Sequence, residues 1–83
     1  MTRREARDIV VGALVSQIGA GSPLLDETPL FDGGLSLDSI QFLETVLAVE
    51  REAGLVLRGE DLTAEVIATV GSMTDHVHRL CGE

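Results

Sequence analysis

The sequence predicts an all-α fold: a small four-helix bundle of three main helices and one short helix, with a long ordered loop between helices 1 and 2. Three observations carry that prediction. Apolar residues make up 45% of the 83 residues, yet Phe31 and Phe42 are the only aromatic ones, so the core is Leu, Val, Ile and Ala. Those residues recur at helical rather than alternating spacing. Each periodic stretch is also preceded by Thr or Asp, the residue types that cap helix N-termini. A chain this short supports a single domain, expected to span residues 1–83.

The first helix is expected over Arg3 to Ile18. Thr2 with Glu5 three residues on forms a capping box, in which each side chain satisfies the other's free backbone donor. Ala6, Ile9, Val10, Ala13 and Leu14 line one face, and Gly19 with Gly21 ends the run. The connection from Gly19 to Leu37 is long for a compact domain, which points to an anchored or functional loop. Leu24, Leu25, Leu30 and Phe31 are the residues expected to pin it.

The second helix is expected from Ser39 to Ala53, with Asp38 as N-cap, Gln41 completing a capping box, and Gly54 closing it. At about 100° per residue, Phe42, Val46, Val49 and Ala53 share one arc, with Leu43 at its margin. That arc is the expected core face. Ile40 and Leu47 fall together off its centre, beside Glu44, Arg51 and Glu50. Two aliphatic side chains ringed by carboxylates suit a partner-facing patch better than a core. A brief helix is expected over Ala64 to Ala68 with Thr63 as cap. A last helix runs from Val70 to Leu80 with Thr69 as cap and Met73, Val77 and Leu80 turned inward.

Charge narrows the function. Six arginines and no lysine against fourteen acids give a net charge of −8, the wrong sign for nucleic acid or an anionic membrane surface. Between Asp8 and Glu50 there are seven acids and no base. No stretch approaches the ~20 apolar residues of a membrane span. Glu5 and Asp8 in the would-be basic region argue against a leader peptide. The single Cys81 fits a reducing cytoplasm and supports neither an internal disulfide nor a thiolate cluster. No metal site is expected: His76 and His78 are two apart on a helix and diverge, and Asp32-Gly33 lacks calcium-loop spacing. Both histidines are expected at the surface. Nothing resembles a nucleophile elbow or a catalytic triad, so no catalytic residue is expected.

Gly34-Leu35-Ser36-Leu37-Asp38-Ser39-Ile40 is the informative segment. A serine in the first turn of a helix sits among unsatisfied N–H groups at the positive end of the helix dipole, a favourable place for a phosphate ester. Any helix beginning Asp-Ser offers the same geometry. This segment, followed by an acidic helix and then by Thr69-Val70-Gly71-Ser72-Met73, resembles the acyl carrier protein family over nearly the whole chain.

The resemblance implies a free-standing, non-catalytic carrier: one acyl-carrier-like domain, cytoplasmic and monomeric. Ser39 would bear 4′-phosphopantetheine, delivered from coenzyme A by a phosphopantetheinyl transferase, and Asp38 matches the motif aspartate. Ile40, Glu44, Leu47 and Glu50 match positions that meet basic docking patches on partner enzymes. Those partners would be an acyl- or aminoacyl-loading ligase or transferase and downstream synthase enzymes, with no nucleic acid and no membrane. Several positions depart from the fatty-acid carriers: Ile40 for Leu, Gln41 for an acid, Arg51 within an acidic run, and Leu57-Arg58-Gly59-Glu60 after the helix. They point toward specialised, polyketide-type or other natural-product assembly. Two alternatives stand beside this reading: an aminoacyl or peptidyl carrier, and a non-carrier acidic helical module that docks a basic partner. Ser36 is the rival attachment position.

Overall fold

The computed structural model describes residues 1–19 and 23–81. It is all-α: helix α1 spans Arg3–Ile18, α2 Ser39–Ala53 and α3 Val70–Leu80, and a 3-10 turn covers Gly59–Asp61. Both expected capping boxes form, at Thr2/Glu5 and Asp38/Gln41; Thr69 caps α3 as expected, and the structure adds a third box there with Ser72. Gly19 caps α1 and Gly54 caps α2 in the left-handed conformation. Gly21, expected to help end α1, lies outside the described residues.

The helices bury one apolar cluster. Ala6, Val10, Ala13 and Leu14 of α1 pack with Val46 and Val49 of α2 and with Val70, Met73 and Val77 of α3. Phe42 and Ala53 cover its edge as half-buried neighbours. Leu30 and Leu37 enter the cluster from the long loop, and Leu57 from the segment after α2.

The long loop is part of the core's framework. Its Leu30 N–H donates to Ala68 O at 3.0 Å, Val70 N–H donates to Thr28 O at 3.0 Å, and Gly71 N–H donates to Asp26 O at 2.8 Å. These bonds tie the loop to the opening of α3. A Cβ on Gly71 would lie 3.0 Å from both Cβ and O of Asp26, so the close approach depends on glycine. Two arginines of α1 hold the same corner. Arg7 Nε donates to Asp26 Oδ1 at 2.7 Å and its Nη2 reaches Leu24 O, while Arg3 bridges Asp26 at 3.1 Å and Asp75 at 2.6 Å. The Arg7 hydrogen bond, aided by Arg3, holds the Asp26 carboxyl below the ordinary carboxylate range.

Four expectations are corrected. The short helix over Ala64 to Ala68 is a single hydrogen-bonded turn, closed by Ile67 N–H to Thr63 O at 3.0 Å, with the Thr63 hydroxyl accepting from Val66 N–H. One bonded turn fixes several dihedrals for one hydrogen bond and has no neighbour to propagate into. Leu80, the last residue of α3, is 44% exposed rather than inward. Leu25 is exposed and does not pin the loop. His76 is buried, at 7% exposure, and its Nε2 has no hydrogen-bond partner among the described residues.

Burial, and secondarily the positive charge of Arg79, lower the His76 pKa, while Asp61 across the 3-10 turn opposes them. A histidine with a depressed folded pKa binds more protons in the unfolded chain. Its contribution is therefore complete above the unfolded value of about 6.5 and lost as pH falls through the folded value. Thermal melts at pH 7.5, 6.5 and 5.5 should show the melting temperature falling with pH, above the range where carboxylates titrate. His76→Phe should flatten that slope. Parallel profiles for the two proteins would exclude His76 as the source.

Candidate functional site

The loop from Pro29 to Asp38 delivers the first turn of α2 to the surface. Leu35 N–H donates to Pro29 O at 2.9 Å, Gly34 and Ser36 N–H both donate to Phe31 O, and Leu37 N–H donates to Leu30 O at 3.0 Å. This compact turn drives Leu37 into the core and leaves Asp38 and Ser39 outside it. Gly34 makes the turn feasible, since a Cβ there would sit 2.2 Å from Pro29 O. Ser36 occupies the left-handed region at φ 55°, a conformation uncommon for residues other than glycine and, among L-residues, enriched in Asn, Asp and His.

Asp38 and Gln41 lock the start of α2. Gln41 N–H donates to Asp38 Oδ1 at 2.7 Å, and Asp38 N–H donates to Gln41 Oε1 at 3.0 Å. The Asp38 carboxylate is thus held beside the first turn. Ser39 and Ile40 N–H find no acceptor among the described residues, and neither does the exposed Ser39 hydroxyl. A free hydroxyl beside two free N–H donors at a helix N-terminus fits an attached phosphodiester. Beneath it, the Phe31 and Phe42 rings meet at 5.4 Å between centroids and fix the turn against the core.

The outer face of α2 carries the apolar residues the periodicity singled out. Ile40 is 70% exposed and Leu47 43%, with Glu44 exposed between them. Leu43, expected at the core's margin, is 55% exposed and joins them. The signal for Leu43 was its spacing, four residues from both Ser39 and Leu47. Glu50 is placed differently from its companions: half-buried, it accepts Leu57 N–H at 2.8 Å and closes the loop after α2. Ser36 lies outside α2, where no helix start surrounds its hydroxyl. A groove of about 450 Å³ opens between α1 and α2 along Ile9, Gly12, Ala13, Ala48 and Arg51, in the half of α2 remote from Ser39. No cluster of three metal-ligating side chains occurs among the described residues, and no helix of theirs is long and apolar enough to cross a membrane.

Residues 8–77 match a family described as the phosphopantetheine attachment site. The chain is 31% identical over 77 residues to the acyl carrier protein of Chlorobium luteolum, covering 93% of this chain and 96% of that protein. It is 30% identical, with the same coverage, to the acyl carrier protein of Chlorobium phaeovibrioides.

Proposed function

The chain belongs to the acyl carrier protein family, whose cofactor is 4′-phosphopantetheine, and from that membership we propose that Ser39 is the attachment residue. The observation that carries the assignment is the exposed Ser39 hydroxyl at the opening of α2, which, like the N–H groups of Ser39 and Ile40 beside it, has no partner among the described residues. When bound, the group supplies a thiol that holds an acyl cargo as a thioester. Everything else is addressing. Asp38 keeps the first turn of α2 rigid, so the arm leaves from a defined point. Ile40, Leu43 and Leu47 offer exposed apolar contact, and Glu44 offers a charge that a basic patch on a partner enzyme complements.

The family role is that of a carrier, met by a phosphopantetheinyl transferase and by synthase enzymes in general. We place this member in specialised assembly, polyketide-type or of another natural product, as a cytoplasmic monomer. What supports that finer reading is Gln41, Arg51 and Arg58 where fatty-acid carriers place other residues.

Intact-protein mass spectrometry after incubation with coenzyme A and a broad-specificity phosphopantetheinyl transferase tests the site. The wild type should gain one phosphopantetheine, and Ser39→Ala should gain none while keeping the helical circular dichroism of the wild type. A gain in both proteins would move the site to Ser36. No gain in either, with a second transferase also failing, would leave an acidic module that docks a basic partner without a covalent arm.

A further inference from the structure

The open face of α2 carries one charge of the wrong sign. At 100° per residue, Ile40, Glu44, Leu47 and Arg51 fall within about 60° of one another, on the side away from Val46 and Val49. Arg51 is exposed and is the only basic residue of α2. The ion pairs among the described residues use Arg3, Arg7 and Arg58, and none involves Arg51. Its neighbours one turn back are Leu47 and Ala48, and Gly54 and Leu55 lie one turn ahead, so no acid stands at pairing distance along the helix. Asp8 of α1 and Glu52 line the α1–α2 groove together with Arg51, yet neither forms an ion pair with it, and among the described residues the guanidinium stays unpaired. A cation in the last turn of a helix also offsets the helix dipole, but that role predicts no effect on how the chain meets an enzyme.

We propose that Arg51 selects the partner: the cognate enzyme presents an apolar recess to Ile40 and Leu47, a cation to Glu44 and a carboxylate to Arg51. The inference rests on the carrier reading above and adds to it a mixed-charge docking surface in place of a uniformly basic one. A partner that is basic throughout pairs with Glu44 but faces Arg51 with a like charge. That juxtaposition costs affinity and on-rate without touching the fold.

The test uses a phosphopantetheinyl transferase whose docking patch is uniformly basic, with coenzyme A, and compares KM and kcat for wild type, Arg51→Ala, Arg51→Glu and Arg4→Glu. Arg4 is exposed on α1 with no ion pair among the described residues, so Arg4→Glu reproduces the change in net charge away from α2. Arg51→Glu should lower KM about threefold to tenfold with kcat unchanged, and Arg51→Ala should fall between it and the wild type. The advantage should shrink toward ~0.5 M salt as the charges are screened, and Arg4→Glu should stay within about twofold of wild type. Equal shifts for Arg4→Glu and Arg51→Glu, or no shift for either, would overturn the proposal and leave the carrier reading intact. A wild type that takes up no arm at all would remove the carrier reading, and the proposal with it.

Discussion

Gly34→Ala should cost the protein about 2–4 kcal/mol and lower its melting temperature by roughly 8–30 °C. The added methyl would lie 2.2 Å from Pro29 O and 2.8 Å from Pro29 Cδ. Both atoms belong to a constrained segment. Pro29 O already accepts Leu35 N–H at 2.9 Å, and the next residue, Leu30, is buried and bonded to Ala68. No rotamer change relieves such a contact, so the turn itself must open. For a domain of this size the loss is a large share of total stability, about 5–15 kcal/mol for proteins generally. The same chemical change at Gly12 should have the opposite sign. Nothing lies within 4 Å of a Cβ there, and removing a glycine from the middle of α1 should stabilise by about 0.5–1 kcal/mol. Thermal unfolding of both variants by circular dichroism checks the pair. A Gly34→Ala protein that melts within about 3 °C of wild type would mean the turn has slack that the geometry does not show.

Leu30→Ala should be comparably severe, at about 2–5 kcal/mol, because a fully buried leucine leaves both a transfer loss and a cavity. Leu30 is the point at which the long loop meets the core. Its N–H is bonded to Ala68 O and its carbonyl accepts Leu37 N–H, so loosening its side chain also loosens the turn that presents Ser39. Leu25→Ala, five residues earlier and exposed, should change stability by no more than about 0.5 kcal/mol. Chemical denaturation of the two variants separates a loop that is part of the core from one that merely connects helices. Equal, small effects would identify the latter.

The three main helices were legible residue by residue because each carries its own start signal. Thr2, Asp38 and Thr69 all cap as their side chains dictate, and the spacing of Val46, Val49, Met73 and Val77 already names the buried faces. Ser39 was legible as a residue type at a helix start, and its free hydroxyl and neighbouring donors follow from that position. Other features had no local signature. Leu24, Leu25, Leu30 and Phe31 look alike in a loop without periodicity, and only the bridge to Ala68 and Val70 decides that Leu30 goes in and Leu25 stays out. His76 sits at a flank of α3 that the wheel leaves ambiguous, and its burial depends on what packs beside it. Glu50 reads as one more carboxylate of an acidic face until the chain after Gly54 folds back and offers it the N–H of Leu57.

By itself, then, the sequence determined the helices, their caps, their inward faces, the acidic balance and the serine at the start of α2. These follow from interactions between residues three or four apart, or from composition. The tertiary structure alone decided which loop leucine anchors, why Gly34 cannot carry a side chain, that Glu50 accepts the Leu57 N–H, that His76 is buried, and that Arg51 makes no ion pair among the described residues. Each of these depends on atoms brought together from distant parts of the chain, and spacing along the sequence does not encode that proximity.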